Sequence, residues 1–413
     1  MSEVFVAGVG MTQFARHPHL SLEAMAGQAL DAALADAGCT RNDIAVAYYS
    51  GVTNGALQGQ GAIPGQVVLH KVGIEGIPVF NVENACASGT SAFHLAVQSV
   101  RSGFCDVALA IGSEKMNIPD KAKTFAIFEA GWDVSRVEEN RSNLLRLGEG
   151  VEVPPGSESD RPFSVFMSIY AAICRWHMKK FGTTQRQIAA VSAKNHQHSV
   201  HNPLAQFQIP LTIEDVLAAP PVTYPLTMPM CSPISDGAAA AIVCNRAGLA
   251  RLSGANKRAI RVAASVIRSA GSRTPEELEK SGARLAAKTA YETAGIGPAD
   301  IDVAEVHDAT AMGEIFTVEH LGLVGYGEAG PAAERGEFSV GGRIPVNPSG
   351  GLESKGHPIG ATGLGQIHEL VTQLRGEARA RQVEGARWAI QENGGGLLGV
   401  EEAAVGVQIF AKD

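Results

Sequence analysis

Apolar residues in this chain recur in two rhythms that take turns. Runs at residues 46–49, 107–111, 238–244 and 303–306 are short and almost continuously apolar, the pattern of buried strands. Residues 22–35 and 283–292 are alanine-rich at helical spacing, and Ala92, Leu95, Ala96 and Val100 recur three to four apart until Gly103. Their alternation predicts an α/β architecture with a parallel-rich buried sheet in each half. Residues 77–82 read as a further buried strand, and Gly8-Val-Gly10 as the turn that closes the first one. Between Glu114 and about Pro229 the alternation lapses. Pro154-Pro155-Gly156-Ser157 and a mixed helical patch at 163–181 there predict an inserted loop domain of about residues 115–230. The boundaries that follow are 1–250 for a first half containing the insertion and 251–413 for a second, joined by a linker at 246–258.

The two halves echo each other. Asp36-Ala-Gly-Cys-Thr-Arg-Asn-Asp-Ile-Ala-Val46 returns as Thr293-Ala-Gly-Ile-Gly-Pro-Ala-Asp-Ile-Asp-Val303, with five of eleven positions identical and the same helix-before, strand-after setting. A second echo pairs Ile77-Pro78-Val79 with Ile344-Pro345-Val346. The chain reads as a duplication.

Composition narrows the class. With 413 residues, 47 of them glycine, the chain is long enough for a large core, and no apolar run reaches the ~18 residues of a spanning helix. Met1-Ser-Glu leads straight into a strand without the basic flank of a signal peptide, so a soluble, cytoplasmic protein is expected. Six cysteines without a Cys-x-x-Cys pair fit a reducing compartment, and a net charge of −8 argues against a nucleic-acid surface.

Asn84-Ala-Cys-Ala-Ser-Gly-Thr-Ser-Ala92 places Cys86 between the strand at 77–82 and an apolar helix. A helix start favours a thiolate, and small neighbours leave room for a substrate; the competing reading is a buried structural cysteine. The second half favours the nucleophile. Its echo of Ile77-Pro78-Val79 precedes Asn347-Pro-Ser-Gly-Gly-Leu-Glu-Ser-Lys-Gly-His-Pro-Ile-Gly-Ala-Thr-Gly363, so Cys86 and His357 occupy equivalent turns. An acyl-transfer thiol needs such a base, and Pro358 fixes the chain beside it. His307 ends the strand at 301–306, where open α/β sheets collect active-site groups.

Asn84-Ala-Cys-Ala-Ser-Gly89, Ser235-Asp-Gly-Ala-Ala239, His307-Asp-Ala-Thr310, and Asn347-Pro-Ser-Gly-Gly351 with Gly356-His-Pro-Ile-Gly-Ala-Thr-Gly363 resemble, in order, the motifs of the thiolase superfamily. Within it, the chain is similar to the sterol-carrier-protein-type (lipid-transfer-protein-like) branch. The resemblance implies duplicated halves in a five-layer αβαβα fold and an acyl-CoA C-acyltransferase. Cys86 would attack a 3-oxoacyl-CoA, with coenzyme A as substrate, no permanently bound cofactor and no metal. It further implies that His307 and His357 polarise the thioester oxygen, that Gly394 and Gly395 offer N–H groups with Cys86 to the oxyanion, and that the insertion covers the pantetheine arm. Assembly is implied as a homodimer or dimer of dimers through an edge strand of the first half, assigned to the apolar run 107–111. A separate zinc-ribbon and OB-fold protein is an expected partner.

One departure stands out. Thiolases carry a second cysteine, in a C-terminal Cys-x-Gly-Gly turn or just after His-Asp, to move the proton at the substrate α-carbon. This chain has Ala309 after His307-Asp308 and reads Gln391-Glu-Asn-Gly-Gly-Gly-Leu-Leu-Gly399 near its end. Glu392 or Asn393 takes the missing cysteine's place. A buried Glu392 with a raised pKa would shuttle the proton; alternatively it only packs the turn. The change points to a bulky, branched, aromatic or steroid-derived substrate, the benzoylsuccinyl-CoA type among them. The alternatives are a retro-aldol lyase, a C-acylating variant, or a non-catalytic acyl-CoA or lipid-binding subunit. His196, His198 and His201 have metal-like spacing but read as polar loop packing. Asp236 reads as a turn-ordering acceptor, and Glu114 and Lys115 as solvated loop charges.

Overall fold

The computed structural model describes residues 2–253 and 258–412, so residues 254–257 of the expected linker lie outside the described chain. Strand β1 (Phe5–Met11) is fully buried beneath the helix Leu22–Ala37. A methyl group added at Gly8 would come 2.5 Å from the Ala33 carbonyl, and one at Gly10 2.4 Å from that of Ala29. Both glycines therefore lie inside the strand, where the helix backbone rests on the sheet, and not in a closing turn.

The remaining strands are β2 (Val46–Ser50), β3 (Val79–Val82), β4 (Val107–Glu114), β5 (Pro221–Thr223), β6 (Leu226–Thr227), β7 (Gly237–Cys244), β8 (Ile260–Ser269), β9 (Val303–Glu305), β10 (Trp388–Leu398) and β11 (Glu401–Ala411). Among the described residues, nine of the eleven strands form one continuous sheet in the order β3-β2-β4-β7-β1-β8-β11-β10-β9, with β5 and β6 paired apart. The halves join where β1 meets β8 at Phe5 and Val6. The expected parallel-rich sheets are corrected to mixed ones. β2 runs parallel to β3 and β4, and β9 to β10, while every other pairing in the large sheet is antiparallel.

Two corrections concern the first half's edge. Residues 107–111 belong to β4, fully buried between β2 and β7, so an apolar run here marks the centre of a sheet. The edge is β3, expected to be buried, with Phe80 50% exposed and Asn81 exposed beside it.

The duplication is real in three dimensions. Gly38 and Gly295 end equivalent helices in the left-handed conformation, and short 3₁₀ turns at Arg41–Asp43 and Pro298–Asp300 feed β2 and β9. Between the two sheet halves lie the helices Ser88–Arg101 and Ile359–Arg375. The second is apolar or small on nearly every face and almost wholly buried, as a central layer demands. Leu22–Ala37 covers the first half's outer face, and Gly282–Ala294 with Ala311–His320 the second's, which completes the expected five-layer αβαβα arrangement. The excursion between β4 and β7 does not keep to itself: its helices Val165–Phe181 and Gln185–Ser199 pack into the second half's core. No helix among the described residues is long and apolar enough to cross a membrane.

Candidate active site

Glycines decide how closely the two central helices meet. A methyl on Gly89 would lie 2.9 Å from the Gly360 carbonyl, and one on Gly363 would lie 2.1 Å from Thr90 Oγ1. This contact brings together the two helix starts that carry Cys86 and His357.

Cys86 sits one residue before the cap of Ser88–Arg101, partly buried on the floor of a cavity of about 1070 Å³. The preceding Ala85 has φ +47°, a left-handed conformation that costs a non-glycine residue about 1 kcal/mol or more. Local bonds hold it there. The Asn84 N–H donates to Ser88 Oγ (2.8 Å), Ser88 Oγ donates to the Ala85 carbonyl (2.6 Å), and Ala85 N–H donates to Glu83 (2.6 Å). The result is a tight turn that pushes the thiol forward.

His357 follows a one-turn π-helix, Gly351–Lys355, of the kind found at functional sites. Its N–H donates to Ser235 Oγ (3.0 Å), and Nδ1 lies 2.7 Å from Thr362 Oγ1. The Thr362 hydroxyl donates its own hydrogen to the Pro358 carbonyl (3.0 Å), so it accepts from His357 Nδ1–H. That network assigns the proton to Nδ1 and leaves Nε2 with a lone pair able to accept a proton. Burial, and His307 beside it, hold the His357 pKa well below the usual histidine range.

His307 faces the same cavity, its ring centroid 5.4 Å from that of His357 and, among the described residues, neither ring nitrogen in a hydrogen bond. One ligating atom each of Cys86, His307 and His357 lie within 4.8 Å of one another. The three residues singled out from sequence converge on one point.

The electrostatics correct the expectation of a resting thiolate. Burial, followed by the nearby Glu402 charge, pushes the Cys86 thiol up to about 12, and the bond to its own N–H does not offset them. His357 is pulled down at the same time, so both shifts favour thiol and imidazole over a preformed ion pair.

The expected replacements for the second cysteine do not reach the cavity. Glu392 is buried, and its Oε2 accepts from the His307 N–H (3.2 Å); burial and the neighbouring Glu402 raise its pKa well above the usual carboxylate range. Asn393 turns toward the central helix, where its Oδ1 accepts from Thr90 Oγ1 (2.9 Å). Neighbours on β10 face opposite sides of the sheet, Glu392 toward the His307 backbone and Asn393 toward the central helix, and each is taken up by a hydrogen bond outside the cavity. Gly394 is covered by the Glu402 side chain, whereas Gly395 and Gly396 reach the wall. A methyl on Gly395 would meet the Asn84 carbonyl at 2.2 Å and the Cys86 nitrogen at 2.9 Å, so the glycine lies directly against the nucleophile turn.

Sequence reasoning missed three features. Glu402, on β11, lines the cavity 3.9 Å from His307 Nδ1; an acid facing a glycine run across a hairpin was the available signal. Tyr170, with Phe166 and Met167 on the Val165–Phe181 helix, forms part of the roof. Glu114 is fully buried, contrary to the solvated reading, and accepts from Val52, Thr53 and Gly360 N–H groups, tying the first half to the helix behind His357. Lys115 pairs with Asp236, which also accepts from Met116 and Asn117 N–H groups (2.7 Å each), the turn-ordering role expected of it. His196 and His198 lie on a helix and not in a loop. His198 bonds the Asn347 carbonyl and the Val340 N–H, and His196 approaches Ser354, while the His201 side chain is exposed.

Family comparison agrees with this geometry. Residues 4–217 match the thiolase N-terminal domain and residues 264–406 the thiolase C-terminal domain-like family. The chain belongs to the thiolase family. It is 37% identical to an acetyl-CoA acetyltransferase of Methanothermobacter thermautotrophicus over the whole of both chains. It is 36% identical to sterol carrier protein 2 of Rattus norvegicus (98% of this chain, 71% of the relative) and 34% identical to a benzoylsuccinyl-CoA thiolase subunit of Thauera aromatica (92% and 91%). The sterol-carrier-type branch is thereby supported. A solved Ltp2-ChsH2(DUF35) aldolase shares the fold, with TM-score 0.75 and 21% identity over 99% of this chain and 98% of that one. A thiolase-family acyltransferase is what these relationships establish.

Proposed function

We propose that this chain degrades a bulky, apolar 3-oxoacyl-CoA, branched or aromatic, by CoA-dependent thiolysis through a Cys86 acyl-enzyme. The observation that carries the reading is the cavity above the thiol. At about 1070 Å³ it exceeds the space a small ligand fills, and its wall includes Phe125, Phe128, Phe163, Phe166, Met167 and Tyr170. An acetoacetyl group would leave most of that apolar surface wet, whereas an aromatic or branched acyl chain removes it from water at roughly 25 cal/mol per Å².

His357 Nε2 takes the Cys86 proton as sulfur attacks the 3-oxo carbon. In this reading the backbone N–H groups of Cys86 and Gly395 receive the developing oxyanion, and His307 polarises the thioester oxygen as the C2–C3 bond breaks. Coenzyme A then takes the acyl group from sulfur. The similarity to a benzoylsuccinyl-CoA thiolase subunit favours an arylacyl substrate of that type and a chain that works beside a second, small subunit. A homodimer would pair through the exposed edge β3, next to the nucleophile turn.

The test is a panel of 3-oxoacyl-CoA esters incubated with coenzyme A, with intact-mass detection of acylated Cys86. Aromatic or branched esters should give higher kcat/KM than acetoacetyl-CoA and acylate Cys86. Preference for acetoacetyl-CoA would refute the substrate class. Cleavage of a matching 3-hydroxyacyl-CoA ester to a ketone or aldehyde plus the shortened acyl-CoA, without coenzyme A and without acylation, would assign a retro-aldol lyase instead.

A further inference from the structure

Three buried carboxylates surround the reacting centre: Glu392 behind the His307 backbone, Glu114 beneath Gly360, and Asp308 under the Leu352 and Glu353 N–H groups. Each accepts from at least one backbone N–H, and none lines the cavity. Glu83 touches the cavity, yet it is exposed at the rim and accepts from Ala85 N–H. One acid remains.

We propose that Glu402 is the catalytic acid and base at the substrate α-carbon, the task left vacant by the missing second cysteine; the assignment rests on the thiolysis reading above. Glu402 enters from β11, two residues beyond the turn that follows the glycine run, opposite Leu397 in the hairpin. Its carboxylate lies across Gly394, where an added methyl would stand 2.2 Å from Oε1 and 2.3 Å from Cδ. Only glycine at 394 lets the acid lie flat against the strand and reach the site. Among the described residues its one ion-pair contact is His307 Nδ1 at 3.9 Å, beyond hydrogen-bond distance, so its oxygens are free for a substrate. It lines the same wall as Cys86, His307 and His357 and is the charge that weighs most on the Cys86 thiol. The side chain is 29% exposed, which leaves a route for protons.

Cys86 sulfur bonds to the 3-oxo carbon, and its proton passes by way of His357 to the Glu402 carboxylate. When the C2–C3 bond breaks, its electron pair goes to C2 as the enolate of the departing acyl-CoA, and Glu402 hands the proton on to C2. Incoming coenzyme A bonds to the acyl carbon, the Cys86 thiolate leaves, and the coenzyme A thiol proton passes through His357 to Cys86. In the synthetic direction the Glu402 carboxylate removes the α-proton.

The experiment separates the two half-reactions in the full-length protein. One arm follows Cys86 acylation by a short acyl-CoA thioester; the other follows deuterium uptake from D₂O at the α-carbon of acetyl-CoA and succinyl-CoA by mass spectrometry. Glu402→Gln should lower exchange and thiolysis by the ~10²–10⁴ of a general acid–base group while acylation stays within a few-fold. Glu402→Ala should recover part of the exchange in added formate, a readout that a packing role would not move. Exchange at the wild-type rate in Glu402→Gln, equal loss of both half-reactions, or no exchange by a wild-type protein that does acylate would overturn the assignment. Absence of acylation in the wild type would instead overturn the thiolysis reading. Loss of exchange in Glu392→Gln with Glu402→Gln unaffected would return the role to Glu392.

Discussion

Replacing Thr362 with valine tests the base. The valine keeps the volume and removes one hydroxyl, which accepts from His357 Nδ1–H at 2.7 Å and donates to the Pro358 carbonyl at 3.0 Å. A net buried hydrogen bond contributes about 1–1.5 kcal/mol, so losing the acceptor weakens the Nδ1–H tautomer by a comparable amount. Each ~1.4 kcal/mol is tenfold in rate, so acylation of Cys86 should slow by roughly tenfold. Full reversal of the tautomer would cost as much as ~10⁴. The assay is single-turnover acylation by a short acyl-CoA thioester, quenched at intervals and read by intact mass, with thermal melting in parallel. Thr362→Ser, which retains the hydroxyl, should acylate within a few-fold of wild type. Acylation of Thr362→Val at the wild-type rate, or equal loss in both variants, would refute the tautomer argument.

Because the Cys86 thiol is pushed up to about 12 and His357 rests neutral, iodoacetamide labelling of Cys86 should rise about tenfold per pH unit from 7 to 9; a plateau near neutrality would indicate a preformed ion pair. Gly395→Ala would press a methyl to 2.2 Å from the Asn84 carbonyl, displacing the nucleophile turn at a cost of about 1–3 kcal/mol, so acylation should collapse while the melting temperature drops only a few degrees. Glu353 has its pKa raised to about 8 by burial and by Glu314. The folded state therefore keeps a proton that the unfolded chain releases near 4.5, and this group's contribution to stability falls as pH rises from about 4.5 to 8. Urea midpoints at pH 5 and pH 8 should diverge less in Glu353→Gln than in wild type; an unchanged difference would contradict it.

Much of the site was legible without coordinates because duplication is written in residue order. Cys86 and His357 occupy equivalent turns ahead of equivalent helices, and the motif order named the family. The Glu392 expectation failed on strand parity. Shifting a strand's reading by one residue exchanges its faces, and a single sequence does not fix which face of residues 391–395 meets the thiol. The edge strand failed for a related reason. An apolar run marks burial without stating its neighbours, so residues 107–111 and 77–82 exchanged places as centre and edge.

The sequence by itself determined most of the elements, the duplication and the candidate trio of Cys86, His307 and His357, since those follow from local periodicity and short motifs. Tertiary structure alone decided the upward push on the Cys86 thiol pKa, the partner of His357 Nδ1 and the presence of Glu402 on the cavity wall beside them. Each depends on what lies within a few ångströms across the fold: a low-dielectric cavity, a hydroxyl five residues downstream and a carboxylate facing glycine across a hairpin. Burial and through-space charge vary with separation in space, and separation along the chain does not encode it.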